Sequence, residues 1–406
     1  MSKRNFPNFL DAYYEYAKDA FCPDIFHLWT GISIVAGALE RKVWLPWTAS
    51  LNFYPNLYIL LVSHPGMGKS SAGNTGVNGL LRHIKDVKFI PAQVTEAKFI
   101  DIMSAQQGMA VGTKQLMHSS GYFYASEASN SLKNIYGDFI ACLTDFYDCP
   151  SLWEKATQKD DVITLSNVCF NMLAGCTFDY LNKLITDDNI MGGFASRVMY
   201  VIHDEKMVRK PSWGSVDSQA ETSRKLLMED LQAIHKMSGP FTATPEFKAK
   251  WLEWFPKHDA KRQELASEKL QALLVRKGTN LMKLCMVCAA AEASDRVLRI
   301  QHWERAMALV ESLEGGIPKM LKMTQSQNGG DDGQRALNMT IMELLDSNGK
   351  EMGLKKLALT CVNKGYQIQR VKDTINAMVE GEQLKKLNIS NQGLSLRLLV
   401  DSNDYL

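Results

Sequence analysis

A short apolar run that ends in a glycine-rich turn is the feature that most restricts how this chain can fold. Residues 54–63 read YPNLYILLVS, a run of the length and apolarity expected of a strand buried on both faces of a parallel sheet. The turn HPGMGKSS follows and leads into a helical stretch. A strand of this kind needs parallel neighbours and helices that cover them, so the run predicts an α/β domain.

Further apolar runs predict the other strands of this sheet. Helical segments at 95–107 and 130–147 separate several of the runs, and strands alternating with helices are typical of a mainly parallel sheet. The runs lie near 89–93 and at 121–127, 168–177 and 197–204.

The length of 406 residues predicts two or three domains. A polar, glycine-containing stretch, TQSQNGGDDGQ, is the best linker candidate, and three short helices with a terminal hairpin follow it, the pattern of a winged helix. The predicted divisions are an N-terminal helical segment at 1–50, the α/β core at 51–210, a helical segment at 211–323, the linker at 324–334 and the winged helix at 335–406.

Composition excludes several classes of protein. The chain has 46 Lys and Arg against 44 Asp and Glu, so a uniformly basic coat is excluded, although a local basic patch is not. No stretch reaches about 18 consecutive apolar residues, and the first twenty lack the apolar run of a signal peptide, so we expect a cytoplasmic protein without membrane partners. Cys285 and Cys288 lie inside a helical run without a second Cys/His pair, which favours core packing over a metal site.

The turn at 63–71, SHPGMGKSS, ends in the Gly-Lys-Ser of the Walker A motif. Between a strand and a helix, glycines let backbone N–H groups surround a β-phosphate, the lysine reaches the β and γ oxygens, and the hydroxyl holds Mg²⁺. Ser63 stands where the motif has its first glycine, which weakens the match, and an incidental glycine-rich turn is the alternative. The residues predicted to bind ATP are Pro65, Gly66, Met67, Gly68, Lys69, Ser70 and Ser71, with Mg²⁺ on Ser70.

A second element of an NTPase is predicted in GYFYASEAS at 121–129. An apolar strand that ends in two acids would supply one carboxylate near Mg²⁺ and one that activates the attacking water. Glu127 occupies the position of the catalytic base, whereas Ser126 replaces the first acid and could contact only a metal-bound water, without charge. The alternative is an ordinary strand end with an exposed glutamate.

The stretch from YPNLY through GMGKS and YASE to RVMYV resembles the AAA+ ATPase domains of phage and mobile-element replicative helicases, which are often joined to primases. It is similar, more distantly, to superfamily 3 and minichromosome-maintenance helicases. The resemblance covers roughly residues 10–315 and implies a P-loop core, a helical lid formed by 211–323, and a ring that most often has six subunits.

The same resemblance implies a polar sensor at the end of the third strand. Thr177 ends NVCFNMLAGCT and could help to orient the attacking water, although a turn-forming threonine is an equal alternative. Asn171 is less favoured, because strand alternation puts it several residues from the phosphate end.

Two arginines are also implied. Arg197, in MGGFASRVMYV, matches the finger that one subunit supplies to the nucleotide of its neighbour; a surface arginine paired with Asp187 or Asp188 is the alternative. Arg276, in the lid, matches a second sensor of the γ-phosphate, with Lys283 as a weaker candidate and a solvated helix start as the alternative.

Nucleic acid is expected at two places. In the related helicases, the interval that corresponds to 151–168 holds a hairpin whose lysine faces the pore, and Lys155 and Lys159 are the candidates here, unless this is only a solvated turn. In the winged helix, 367–379 would be the recognition helix, with Arg370 and Lys372 exposed. Winged helices also bind proteins, so that alternative stays open.

Together with this resemblance, the sequence predicts an oligomeric ATP-dependent helicase or translocase, with a hexamer as the implied ring. It would act in the replication of a phage or other mobile element on single-stranded or forked DNA, with a primase or another replication protein as partner. The alternative is a nucleotide-dependent helicase loader or adaptor with weak or no hydrolysis, which the serines at 63 and 126 favour. A DNA-tethering scaffold is a third, weaker hypothesis.

Overall fold

The central strand is buried at every residue, as its apolar sequence predicts. A computed structural model describes residues 4–111, 114–128, 138–156, 162–185, 189–190, 192–205, 218–317, 331–381, 383–389 and 393–399. The chain forms two compact units, 1–316 and 317–406. Within the described residues, no helix is long and apolar enough to cross a membrane.

The strands of the first unit are short, except for two that run through the middle of its sheet. They are β1 (Val43–Pro46), β2 (Asn52–Phe53), β3 (Tyr58–Val62), β4 (Phe89–Ile90), β5 (Gln107–Val111), β6 (Lys114–Ala125), β7 (Leu152–Ala156), β8 (Val162–Ser166), β9 (Val168–Cys176), β10 (Val198–Ile202), β11 (Gly239–Pro240), β12 (Thr242–Ala243) and β13 (Val297–Leu298).

The helices of this unit surround the sheet and continue beyond it. They are α1 (Phe9–Ala17), α2 (Asp24–Leu39), α3 (Lys69–Gly73), α4 (Glu96–Ser104), α5 (Asp138–Tyr147), α6 (Phe178–Leu184), α7 (Ser218–His235), α8 (Pro245–Gln263), α9 (Glu268–Leu274), α10 (Lys277–Glu292) and α11 (Ile300–Glu314).

The main sheet has the order β10–β3–β9–β6–β4, and each of these neighbours is parallel. Strand β5 adds to β6 in the antiparallel direction. Parallel strands of this kind are covered on both faces, and β3 and β9 accordingly have no exposed residue. The predicted mixed α/β fold with a mainly parallel sheet is confirmed.

The N-terminal segment at 1–50 contributes residues to the core of the first unit. Helix α2 is apolar on nearly every side and is buried continuously from Thr30 to Leu39. A helix that is hydrophobic all round must lie inside a protein. Its residues share one apolar cluster with β3, β9 and β10.

The predicted lid at 211–323 joins the same cluster. Helix α10 is buried from Leu281 to Ala291, and it carries Cys285 and Cys288 into the core, as predicted. Burial raises the pKa of both thiols. These helices and the sheet belong to one compact unit because α10 is too apolar to remain on a separate, solvated surface.

The second unit has its own apolar cluster. Its elements follow the order helix, strand, two helices and a hairpin, and its sheet has the order β14–β16–β15. Helix α12 begins inside the predicted linker. The elements are α12 (Asp331–Asp346), β14 (Glu351–Gly353), α13 (Leu354–Asn363), α14 (Ile368–Glu380), β15 (Leu384–Ile389) and β16 (Gly393–Leu398).

Candidate functional site

A cavity of about 550 Å³ lies where β3 ends and the glycine-rich turn begins. Every residue predicted to bind nucleotide in the turn lines this cavity, and so does the predicted catalytic base. Phe21, between α1 and α2, lines it too and was not predicted. The lining residues are Phe21, Pro65, Gly66, Met67, Gly68, Lys69, Ser70, Ser71 and Glu127.

The turn needs glycine at two positions. Gly66 and Gly68 have φ angles of 78° and 77°, the left-handed region that side chains other than glycine rarely adopt. A Cβ atom on Gly68 would also lie 2.0 Å from the carbonyl oxygen of Phe21. The segment between α1 and α2 therefore packs directly against the glycine-rich turn, which explains why Phe21 reaches the cavity.

Lys69 is held by oxygens of its own turn. Its Nζ donates to the carbonyl oxygens of Ser63 and His64, both at 3.0 Å, and to the Ser63 hydroxyl at 3.1 Å. Burial lowers the pKa of Lys69, and the charge of Glu127 opposes this shift. The serine that departs from the motif therefore supplies an additional acceptor to the lysine.

Glu127 and the turn are brought together by a close approach of strand ends. A Cβ atom on Gly175, near the end of β9, would lie 2.3 Å from the carbonyl oxygen of Ser126 and 3.3 Å from Cβ of Lys69. Glycine at this position therefore allows β6, β9 and α3 to converge. Glu127 is half-buried in the cavity lining, whereas Ser126 is exposed and does not line it.

The connections of the sheet open a crevice at this edge. From β3 the chain passes to β4 on one side, and from the adjacent β9 it passes to β10 on the other side. Where neighbouring parallel strands connect in opposite directions, a ligand crevice forms outside their carboxyl ends. Lys69, Glu127 and Thr177 all follow strands that end at this edge.

Thr177 caps a helix at the same edge. Its hydroxyl accepts a hydrogen bond from the Tyr180 backbone N–H at 3.4 Å and so begins α6. It is not among the residues that line the cavity. Asn171 faces the other end of the sheet, where its side-chain oxygen accepts from the Leu57 N–H at 3.0 Å, as strand alternation predicted.

Arg197 lies at the opposite edge of the sheet from Lys69. It directly precedes β10, whose first residue pairs with Tyr58, the first residue of β3, whereas the glycine-rich turn follows Val62. Four steps of about 3.3 Å separate these two ends of β3, or about 13 Å. Arg197 therefore lies at the edge of the sheet opposite the cavity of its own chain and does not line that cavity.

The partner of Arg197 is Asp148, which was not predicted. The two side chains form an ion pair at 2.7 Å, and Arg197 also donates to the Gly193 carbonyl oxygen at 2.8 Å. The partners considered in the sequence, Asp187 and Asp188, lie outside the described residues.

Arg276 lies beside Arg197, and not beside Lys69 as a sensor of its own chain's nucleotide would. Its two terminal nitrogens donate to the Asp148 carboxylate at 2.7 and 3.3 Å. The physical reason is the packing of α10, the helix that Arg276 precedes. Asn280 on that helix accepts a hydrogen bond from the Tyr147 hydroxyl, at the end of α5.

Lys283 is buried and is not among the residues that line the cavity. Its Nζ donates to the Asn56 side chain and, at 3.1 Å, to the Tyr147 carbonyl oxygen, and it lies 4.0 Å from the centre of the Tyr147 ring. Burial lowers its pKa to about 8. These contacts hold the Lys283 side chain against Tyr147, the residue that precedes Asp148.

The expected hairpin is formed by β7 and β8, which pair in the antiparallel direction. Lys155 forms an ion pair with Glu96 of α4 at 2.5 Å and keeps about a third of its side chain exposed. Trp153 donates to Asp145 at 3.2 Å and so ties the hairpin to α5. Lys159 lies outside the described residues.

In the second unit, the two residues predicted to contact nucleic acid differ in their exposure to solvent. Lys372 is exposed on α14, as predicted, whereas Arg370 is half-buried because its side of the helix turns toward the unit's core. Lys385 and Lys386 are exposed on β15, and Lys386 donates to Asn376 of α14 at 2.9 Å.

The chain matches no protein-family model and no curated protein.

Proposed function

We propose that this protein is an oligomeric ATPase that moves along or unwinds DNA, a replicative helicase or translocase. The observation that carries the proposal is the separation of the two candidate catalytic groups. The cavity with Lys69 and Glu127 lies at one edge of the parallel sheet, and Arg197 with Arg276 lies at the other, about 13 Å away along β3.

This separation supports catalysis between subunits. An arginine that stabilises charge on a transferred phosphoryl group must touch that group. Arg197 cannot touch a phosphate in its own chain's cavity, but head-to-tail stacking would bring it to the cavity of a neighbour. Repeated head-to-tail contacts close into a ring when the rotation allows it.

The residues of the cavity fit a nucleoside triphosphate. Lys69 would exchange its bonds to Ser63 and His64 for phosphate oxygens, and backbone N–H groups of the turn would surround the β-phosphate. The Ser70 hydroxyl would hold Mg²⁺, which neutralises charge on the β and γ oxygens. Glu127 would accept the proton of the attacking water. Thr177 follows β9 at the same edge of the sheet, where its hydroxyl would help to orient this water.

DNA would contact the hairpin and the second unit. Lys155 is partly exposed and pairs with Glu96. One such lysine per subunit would form a ring of lysines in an oligomer, which supports backbone binding in a chain of net charge +2. The order of elements in 331–399 supports a winged helix, with Lys372, Lys385 and Lys386 on its surface.

A helicase loader or adaptor is the second candidate, and one observation favours it. Ser126 carries no charge and lies outside the cavity lining, so only one carboxylate would act near Mg²⁺. Weaker metal binding and slow hydrolysis would suit a nucleotide-dependent switch.

Two measurements on the unmodified protein separate the candidates. We expect single-stranded DNA to stimulate ATP hydrolysis several-fold and the protein to displace a strand from a forked duplex when ATP is present. ATP binding and assembly without strand displacement would favour the loader. Absence of ATP binding would contradict both.

Lys155→Ala should weaken binding to single-stranded DNA about 3- to 10-fold and make its salt dependence less steep, because fewer phosphate contacts release fewer counterions. Fluorescence anisotropy with a labelled oligonucleotide at several salt concentrations measures both effects. Lys98→Ala is the matched control, since Lys98 lies on α4 and pairs with Asp101. Equal affinities of the two variants would argue against a hairpin contact.

A further inference from the structure

One carboxylate holds both arginines at the edge of the sheet. Asp148 accepts from Arg197 at 2.7 Å through Oδ2, and from Arg276 at 2.7 Å through Oδ1 and at 3.3 Å through Oδ2. Asp148 follows α5 directly, so its position is set by the helix end and not by a loop. Two like charges that would otherwise repel are therefore kept side by side.

Arg197 is withdrawn from solvent in this arrangement. Its side chain is 9% exposed, compared with 28% for Arg276 and 45% for Asp148. One terminal nitrogen is held by Asp148 and the other by Gly193, while Nε is buried with no hydrogen-bond partner in the described part of the chain. Arg197 therefore cannot present its guanidinium to another molecule until it leaves Asp148.

Positive charge exceeds negative charge around this carboxylate. Arg197 and Arg276 form ion pairs with it. The buried Lys283 donates a hydrogen bond to the carbonyl oxygen of Tyr147, the residue that precedes Asp148. A triphosphate carries more negative charge than one carboxylate and offers the same bidentate geometry to guanidinium groups. An incoming phosphate can therefore take over the bonds that Asp148 now makes.

We propose that Asp148 is a latch, which holds Arg197 and Arg276 withdrawn in a free subunit and releases them to the triphosphate bound by a neighbouring subunit. The proposal rests on the proposed function, because it needs a nucleotide in the neighbour's cavity. Asp148 is a positioning residue in this account, and it acts only through the two arginines. Assembly would then depend on nucleotide, since the latch opens only when a phosphate replaces it.

The test is the nucleotide dependence of assembly. Asp148→Asn keeps the shape of the side chain but removes its charge, so the arginines are released at lower cost. We expect half-maximal assembly at an AMP-PNP concentration about 3- to 10-fold lower than for the unmodified chain, the size expected for partly exposed ion pairs. Sedimentation velocity at fixed protein concentration measures the fraction of assembled protein at each AMP-PNP concentration. Thermal unfolding checks that each variant is folded.

Two variants control the test. Asp145→Asn makes the same change in charge about one helical turn earlier, where the side chain accepts a hydrogen bond from Trp153. This variant should leave the AMP-PNP requirement unchanged. Asp148→Glu keeps the charge and should stay close to the unmodified chain. If Asp148→Glu shifts as far as Asp148→Asn, the effect is structural and the latch is wrong.

Other outcomes also decide the matter. An unchanged or increased AMP-PNP requirement in Asp148→Asn overturns the latch while the proposed function stands. A fall in maximal ATP turnover without easier assembly would make Asp148 a group that orients the arginines, which also overturns it. If the unmodified chain binds AMP-PNP and does not assemble, the ring and the latch fail together.

Discussion

Lys69→Ala is expected to reduce ATP hydrolysis by at least about 100-fold, the usual effect of removing one group that stabilises transition-state charge. Lys69 is the one side-chain cation among the residues that line the cavity, as far as the structure describes them. Without it, the charge on the β and γ oxygens would face only backbone N–H groups and Mg²⁺. Phosphate release under steady-state conditions measures turnover.

Nucleotide binding should weaken in the same variant, as measured with a fluorescent ATP analogue. Lys85→Ala, an exposed lysine elsewhere in the first unit, is the control and should behave as the unmodified chain does. Circular dichroism checks folding, because Lys69 is only 7% exposed. Turnover close to that of the unmodified chain would rule out the cavity as the ATPase site.

Arg197→Ala is expected to lower turnover by about 10³-fold or more while ATP binding is retained, because the guanidinium would act on a neighbour's phosphate and not on the chain's own. The decisive experiment mixes Arg197→Ala with Lys69→Ala. At an interface with Lys69 from one variant and Arg197 from the other, both groups are present. Random mixing of equal amounts makes about one quarter of head-to-tail interfaces complete.

The mixture should therefore recover about a quarter of the normal rate, if the interfaces act independently, although each variant alone is inactive. Arg262→Ala is a suitable control, since Arg262 pairs with Asp259 on its own helix. A mixture no more active than its components would contradict catalysis between subunits and would leave Arg197 with a structural role beside Asp148.

The parts of the site that could be predicted are those whose determinants are close together in the sequence. The turn from Pro65 to Ser71 is recognisable because its strand, glycines, lysine and hydroxyls are consecutive. Glu127 was predictable because it follows an apolar run that ends at the same edge of a parallel sheet. Hydrophobic periodicity likewise predicted the strands and most helices, since burial of a face is a local property of sequence.

Residues that act through distant contacts could not be predicted. Phe21 reaches the cavity only because the segment between α1 and α2 packs on Gly68. Asp148 meets Arg197 and Arg276 across 49 and 128 positions of sequence, and no local pattern marks it. The resemblance led to both arginines, but gave no means of knowing that one carboxylate holds them together.

The sequence alone determined the α/β class, the position of the glycine-rich turn and the glutamate that lines the same cavity, because these depend on periodicity and on residues near one another in the chain. Only the tertiary structure decided which edge of the sheet each group occupies. Parallel pairing aligns the start of β10 with the start of β3, and this register separates Arg197 from Lys69. Strand register depends on packing among distant segments, so no single stretch of sequence contains it.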